Sequence, residues 1–98
     1  MYVYKGGNEM RIKDGFVLRE VAGQYVVIAT GEASKDFHGM IKLNVTGKEI
    51  WQGLLDGLDK EAIVKRLQEK FQVESETVAI DVQEFLSEMQ EKGFLINE

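Results

Sequence analysis

The sequence predicts an α+β domain of winged helix-turn-helix-like type, a three-stranded antiparallel sheet followed by three helices. Two observations carry that prediction. Up to Leu43 the apolar residues fall in short β-branched and aromatic runs broken by glycine; after Asn44 they recur at helical spacing. The change takes place inside one stretch, Gly39 to Gly57 (GMIKLNVTGKEIWQGLLDG), where a strand leads directly into a helix.

Phe16 to Val21 and Gln24 to Thr30 read as a hairpin, with Ala22-Gly23 as its two-residue turn. Gly31 to Asp36 is small and polar, and reads as a loop. Phe37 to Leu43 supplies the third strand, alternating around Met40, Ile41 and Leu43. Asn44 and Thr46 both suit a helix N-cap, because a short side-chain oxygen accepts from the free N–H groups of the first turn. Ile50, Trp51, Leu54 and Leu55 then form one apolar stripe, which Gly57 ends.

The second helix is predicted from an Asp59 cap to about Gln72, with Ile63, Leu67 and Phe71 at every fourth position. The third has the strongest period in the chain: Val78, Val82, Phe85, Leu86 and Met89, with Ser75 as cap and Gly93 at its end. Phe94 and Leu95 are placed either to fold back on the last turn or to pair as a short strand. Ile80 falls on the opposite side of that helix and is expected to be exposed. Residues 1–98 read as one domain, with Met1 to Glu9 as an N-terminal arm in which Tyr2, Val3 and Tyr4 suit an added strand.

Composition removes several classes of function. There is no cysteine, which excludes zinc fingers, iron–sulfur sites and thiol catalysis. No apolar run approaches the ~20 residues of a membrane span, and the N-terminus lacks a signal-peptide pattern, so the chain is expected to be soluble and cytoplasmic with no membrane partner. The single histidine, His38, has no acid or nucleophile at motif spacing, and the glycines do not form a phosphate-binding loop. Glutamates four apart, such as Glu84 and Glu88, read as a solvated helix face rather than an acid/base pair. No enzyme activity, metal or cofactor is implied.

Charge decides the nucleic-acid question. Met1 to Leu43 sums to +1 and Asn44 to Glu98 to −6, together the overall −5. The helix that would enter a major groove carries Glu76, Asp81, Glu84, Glu88 and Glu91 against Lys92. Phosphate neutralisation supplies much of the affinity for DNA, and this surface repels phosphate, so no nucleic-acid partner is expected.

The run KDGFVLREVAGQYVVIATGEASKDFHGMIKLNVTGKEIWQGLLDG, followed by KEAIVKRL and DVQEFLSEMQEKGFL, resembles the PqqD family, named for the pyrroloquinoline quinone synthesis protein D. The likeness extends from Met10 onward. It is carried by Leu43-Asn44 leading to Thr46-Gly47 and Ile50-Trp51, the Leu54-Leu55-Asp56-Gly57 stop, and Asp81-Val82 with Phe85-Leu86 before Gly93. None of these pieces is a catalytic signature. The resemblance implies a recognition element that holds the leader segment of a ribosomally made precursor peptide for a separate modifying enzyme, often a radical SAM enzyme.

By the same resemblance the leader adds as a strand beside the third strand and lays side chains against the third helix. That places strand contacts at Met40, Ile41, Lys42 and Leu43, and helix contacts among Val78, Asp81, Val82, Phe85 and Met89. Helical period alone assigns Val82, Phe85 and Met89 to packing, and leaves Lys42 and Asp81 as polar flanks of a groove. The alternative is a non-catalytic winged-helix interaction or regulatory domain that contacts another protein through its acidic helix.

Overall fold

The computed structural model describes residues 10–36 and 40–97. Strands β1 (Met10–Ile12), β2 (Phe16–Val21) and β3 (Gln24–Ala29) come first, then a short helix α1 (Ala33–Asp36) and strand β4 (Met40–Leu43). Helices α2 (Val45–Leu55), α3 (Lys60–Phe71) and α4 (Ser75–Glu91) follow, and β5 (Leu95–Asn97) closes the order. The predicted three-stranded antiparallel sheet is β2-β3-β4, with the three long helices after it. The Tyr2-Val3-Tyr4 arm, Phe37 and His38 lie outside the described residues.

The β2–β3 hairpin closes at Val21 opposite Gln24, with both turn residues at positive φ, 52° at Ala22 and 77° at Gly23. Such a turn matches the right-handed twist of its strands. The stretch expected to be a loop differs: Ala33 to Asp36 makes one helical turn, braced where the Ser34 hydroxyl donates to the Gly31 carbonyl at 2.6 Å. Small residues carry no period, so one isolated turn leaves no apolar signature in the sequence.

Asn44 caps α2: its Oδ1 accepts the Gly47 N–H at 2.8 Å, while Thr46 lies inside the first turn. Asp59 caps α3 in the same manner, accepting from Ala62 at 2.9 Å. At α4 the expectation of a Ser75 cap is corrected. Ser75 is the first helical residue, and extended Glu74 holds the cap position without a side-chain hydrogen bond. The α4 C-terminus is a Schellman turn, in which Phe94 N–H donates to Met89 O at 2.9 Å and Gly93 N–H to Gln90 O at 3.1 Å, with Gly93 at φ 87°.

That turn throws Phe94 into the core and starts β5, which pairs antiparallel with β1, Ile12 opposite Leu95. Of the two outcomes left open for Phe94 and Leu95, the strand forms at Leu95, with a partner that nothing in the sequence had singled out. Trp51 of α2 sits at the centre, fully buried, edge-on to Phe94 at 6.3 Å between ring centroids. Phe94 in turn meets Phe16 at 4.5 Å. Ile63 and Leu67 of α3, and Val78, Val82, Leu86 and Met89 of α4, complete this core as their periods predict. Phe71, at the last position of its stripe, is 36% exposed where α3 ends, and Ile80 is exposed as expected.

Candidate functional site

The sheet order leaves β4 as an outer strand, and its hydrogen-bond parity follows from the hairpin. Antiparallel pairs alternate between residues that exchange ladder bonds and residues that do not. The Thr30 N–H donates to the Gly15 carbonyl at 2.6 Å, so even-numbered residues of β3 bond toward β2 and odd-numbered ones toward β4. In the β3–β4 register Tyr25 lies opposite Leu43 and Val27 opposite Ile41, which makes these the bonded pairs. Met40 and Lys42 therefore turn their N–H and C=O groups to the open side.

Side chains alternate across the same four residues. Ile41 and Leu43 are half-buried and pack on the core, whereas Met40 and Lys42 are exposed. Between this strand and α4 runs a groove, the two elements lying antiparallel along it. Its first compartment, about 210 Å³, is lined by Ile41, Leu43, Gly47, Phe85 and Met89, with Glu88 and Lys92 on the α4 side. The second, about 280 Å³, continues past Asn44 and Phe85 toward Thr46, Asp81 and Glu84. A third depression of about 410 Å³ opens at the hairpin end, beside Tyr25, Lys42 and Val45.

Gly47 sets the floor where the first two compartments meet. A Cβ there would stand 3.1 Å from the Phe85 ring, 3.3 Å from Asn44 Oδ1 and 3.5 Å from Leu43 Cβ, so any larger residue would push the ring or the cap. Phe85 is half-buried between the compartments.

The structure thus brings Ile41, Lys42, Leu43, Phe85 and Met89 together around one compartment and Asp81 around its extension. Met40 joins them through the strand edge. Val78 and Val82, named with them by resemblance, are 5% and 0% exposed and stand in the core, with almost no surface toward the groove. Asn44, Gly47, Glu88 and Lys92 line the groove without having been singled out for it. A signal existed for two of them: Phe85, Glu88 and Lys92 are spaced three and four apart, one face of a helix.

The groove wall is acidic at Asp81, Glu84 and Glu88, and Lys92 approaches Glu88 only at 3.8 Å across an exposed surface. Behind it lies a tighter ion group. Buried Glu49 accepts hydrogen bonds from Lys48 at 2.8 Å and Lys70 at 3.0 Å, and Lys48 also stands 5.1 Å over the Tyr25 ring. The Lys48 hydrogen bond holds the Glu49 carboxyl below its usual pKa, against the opposing effect of burial, with Lys70 assisting.

A depressed folded-state pKa adds stability above the unfolded carboxylate value, and that stability is lost as pH falls through the folded value. Thermal melts of the parent are expected to lose stability as pH drops below the ordinary carboxylate range. Glu49→Gln is expected to flatten that limb and to cost about 1.5–3 kcal/mol at neutral pH, the worth of hydrogen bonds to a charged group. An unchanged pH profile in Glu49→Gln would remove this carboxylate from the account.

Among the described residues no group of acidic, histidine or cysteine side chains is arranged to hold a metal ion, and no helix is long and apolar enough to cross a membrane. Among the described residues, fold and groove together define a winged α+β module that presents an unpaired strand edge beside a cleft lined by both apolar and charged side chains. The chain belongs to the PqqD family: the family model described as Coenzyme PQQ synthesis protein D (PqqD) matches residues 17–95.

Among solved structures the chain is similar to TbiB1, determined in complex with the TbiA(beta) leader peptide, at 25% identity and a TM-score of 0.71, over 87% of this chain and 93% of that one. It shares the fold of a lasso peptide synthetase B1, determined in complex with its leader peptide, at 20% identity and a TM-score of 0.73, over 90% and 98% of the two chains. No curated protein matches it.

Proposed function

We propose that this chain captures the leader segment of a ribosomally synthesised precursor peptide as an added strand on β4 and presents it to a separate peptide-modifying enzyme, a radical SAM enzyme being one such partner. The observation that carries the proposal is the pair of outward-turned residues, Met40 and Lys42, lying directly beside a groove where Ile41, Leu43 and Phe85 stand between charged flanks. Unpaired strand edges are templates for β-augmentation, in which main-chain bonds supply affinity and pockets for alternate side chains supply specificity. TbiB1, solved with a leader peptide, supports the same reading.

The magnitudes require both parts of the site. Four backbone bonds at a net ~0.5–1.5 kcal/mol each give about 2–6 kcal/mol. Association and ordering cost at least ~4 kcal/mol. Each apolar leader side chain buried against Ile41, Leu43, Phe85 and Met89 adds about 1.5–3 kcal/mol. One or two such anchors turn marginal pairing into useful affinity, and the alternate leader side chains then lie beside Met40 and Lys42 on the outer face of the sheet.

Calorimetric titration of the purified chain with synthetic leader segments of ribosomally made precursor peptides tests the proposal. Saturable one-to-one binding is expected. Asp81→Lys reverses a charge on the groove wall and is expected to weaken a leader that carries lysine or arginine there by about fivefold, most of it lost at high salt. Absence of binding would leave the acidic α4 surface as a contact for a folded protein instead.

A further inference from the structure

We infer that the Asn44 carboxamide donates a hydrogen bond to a main-chain carbonyl of the leader and thereby closes the leader ladder at the α2 end of β4; this rests on the strand-addition reading above. Asn44 occupies the point where β4 ends and α2 begins, and it borders all three depressions flanking the strand edge. One half of that side chain is committed. Its Oδ1 accepts the Gly47 N–H at 2.8 Å, which leaves the Nδ2 amino group, with two N–H donors, exposed and without a partner among the described residues.

The strand parity sharpens what Asn44 can bind. Asn44 is extended, at φ −79° and ψ −178°, so its backbone N–H continues the outward row of Met40 and Lys42. Its carbonyl does not continue the row, because it accepts the Lys48 N–H at 2.9 Å to open α2. At Met40 and Lys42 the edge offers donor and acceptor alike; at Asn44 it offers donors, one from the backbone and two from the side chain.

Such a rung takes an acceptor oxygen. A carboxylate is disfavoured by Asp81, Glu84 and Glu88 in the adjoining compartment. A neutral peptide carbonyl meets no such repulsion, and every leader residue carries one. Asn44 therefore ends the ladder at a defined place, while the apolar anchors set which leader carbonyl reaches it: a leader slipped by two residues would bring another carbonyl to Asn44 but would move those anchors off the compartment formed by Ile41, Leu43, Phe85 and Met89.

Asn44→Asp separates this role from capping, since aspartate caps helices as well as asparagine but has no N–H to give. The variant is expected to keep the parent's unfolding midpoint and to bind the synthetic leader that the parent binds about tenfold more weakly. The loss is expected to persist at about 0.5 M salt, where repulsion between exposed charges is screened.

A leader scanned by single amide-to-ester replacements, which weaken one carbonyl at a time, is expected to show a position that matters to the parent and no longer matters to Asn44→Asp. Asn44→Ser, a capping residue with a shorter side chain, repeats the comparison without added charge. Binding by both variants within twofold of the parent, or an ester scan with no position coupled to Asn44, overturns the inference. Lys42→Pro distinguishes the two levels: if it too binds as the parent does, strand addition itself fails, whereas a weakened Lys42→Pro beside an unaffected Asn44→Asp removes the Asn44 role alone.

Discussion

Trp51→Ala is expected to cost ~3–5 kcal/mol, a large share of the ~5–15 kcal/mol total of a domain this size. The indole is fully buried and is the largest side chain in the core. Its edge-on contact with Phe94 joins α2 to the turn that ends α4, and through Phe16 to the first strand of the sheet. Removing it opens a cavity that three elements border and none can fill without moving its own backbone.

A second variant separates volume from polarity. The Trp51 Nε1 has no hydrogen-bond partner among the described residues. A buried unsatisfied donor costs about 1–3 kcal/mol, so Trp51→Phe, which deletes the donor and retains most of the apolar bulk, is expected to lose far less than Trp51→Ala. Phe85 gives the contrast. It is only half-buried, and Phe85→Ala is expected to cost about 1–2 kcal/mol in stability while weakening leader binding strongly. Urea melts that place Trp51→Ala within ~0.5 kcal/mol of the parent would contradict the α2 core assignment.

Much of this architecture is legible in the chain because its signals are local and repeated. The α4 stripe from Val78 to Met89 states the helix and its buried face at once, and Asn44 and Asp59 announce their helices by cap chemistry that the structure reproduces atom for atom. What escaped is non-local or aperiodic. Strand β1 is three residues long, and its pairing with β5 is decided by a Schellman turn more than eighty positions away. Helix α1 is one turn of small residues.

The groove escaped in part for a different reason. Helical period marks Val82, Phe85 and Met89 equally as core, yet Val82 and Met89 are buried, Met89 only bordering the cleft, while Phe85 stands half-buried between its compartments. The distinction depends on where β4 crosses α4, and the period of one helix carries no record of its neighbour's position. The same holds for Gly47: as a residue it reads as helix weakness, and only the 3.1 Å approach of the Phe85 ring to its absent Cβ shows that the groove floor needs it.

Proline at two adjacent positions of β4 tests the proposed function on the backbone itself. Lys42 turns its N–H to the open edge, so Lys42→Pro deletes a donor that pairs with nothing among the described residues. Ile41 turns its N–H to Val27 of β3, so Ile41→Pro removes a bond of the β3–β4 ladder and a side chain that packs on the core. Ile41→Pro is expected to cost ~3 kcal/mol or more and to disturb the sheet. Lys42→Pro is expected to retain the parent's circular dichroism and most of its stability, yet to lose at least about tenfold in leader affinity, because one main-chain bond is gone and ring bulk stands where the leader strand must approach. Side-chain loss is controlled by Lys42→Ala, which keeps the backbone donor and is expected to bind within a few-fold of the parent. A folded Lys42→Pro that matches the parent in calorimetry would rule out strand addition at β4, and the acidic face of α4 would take its place as the contact surface.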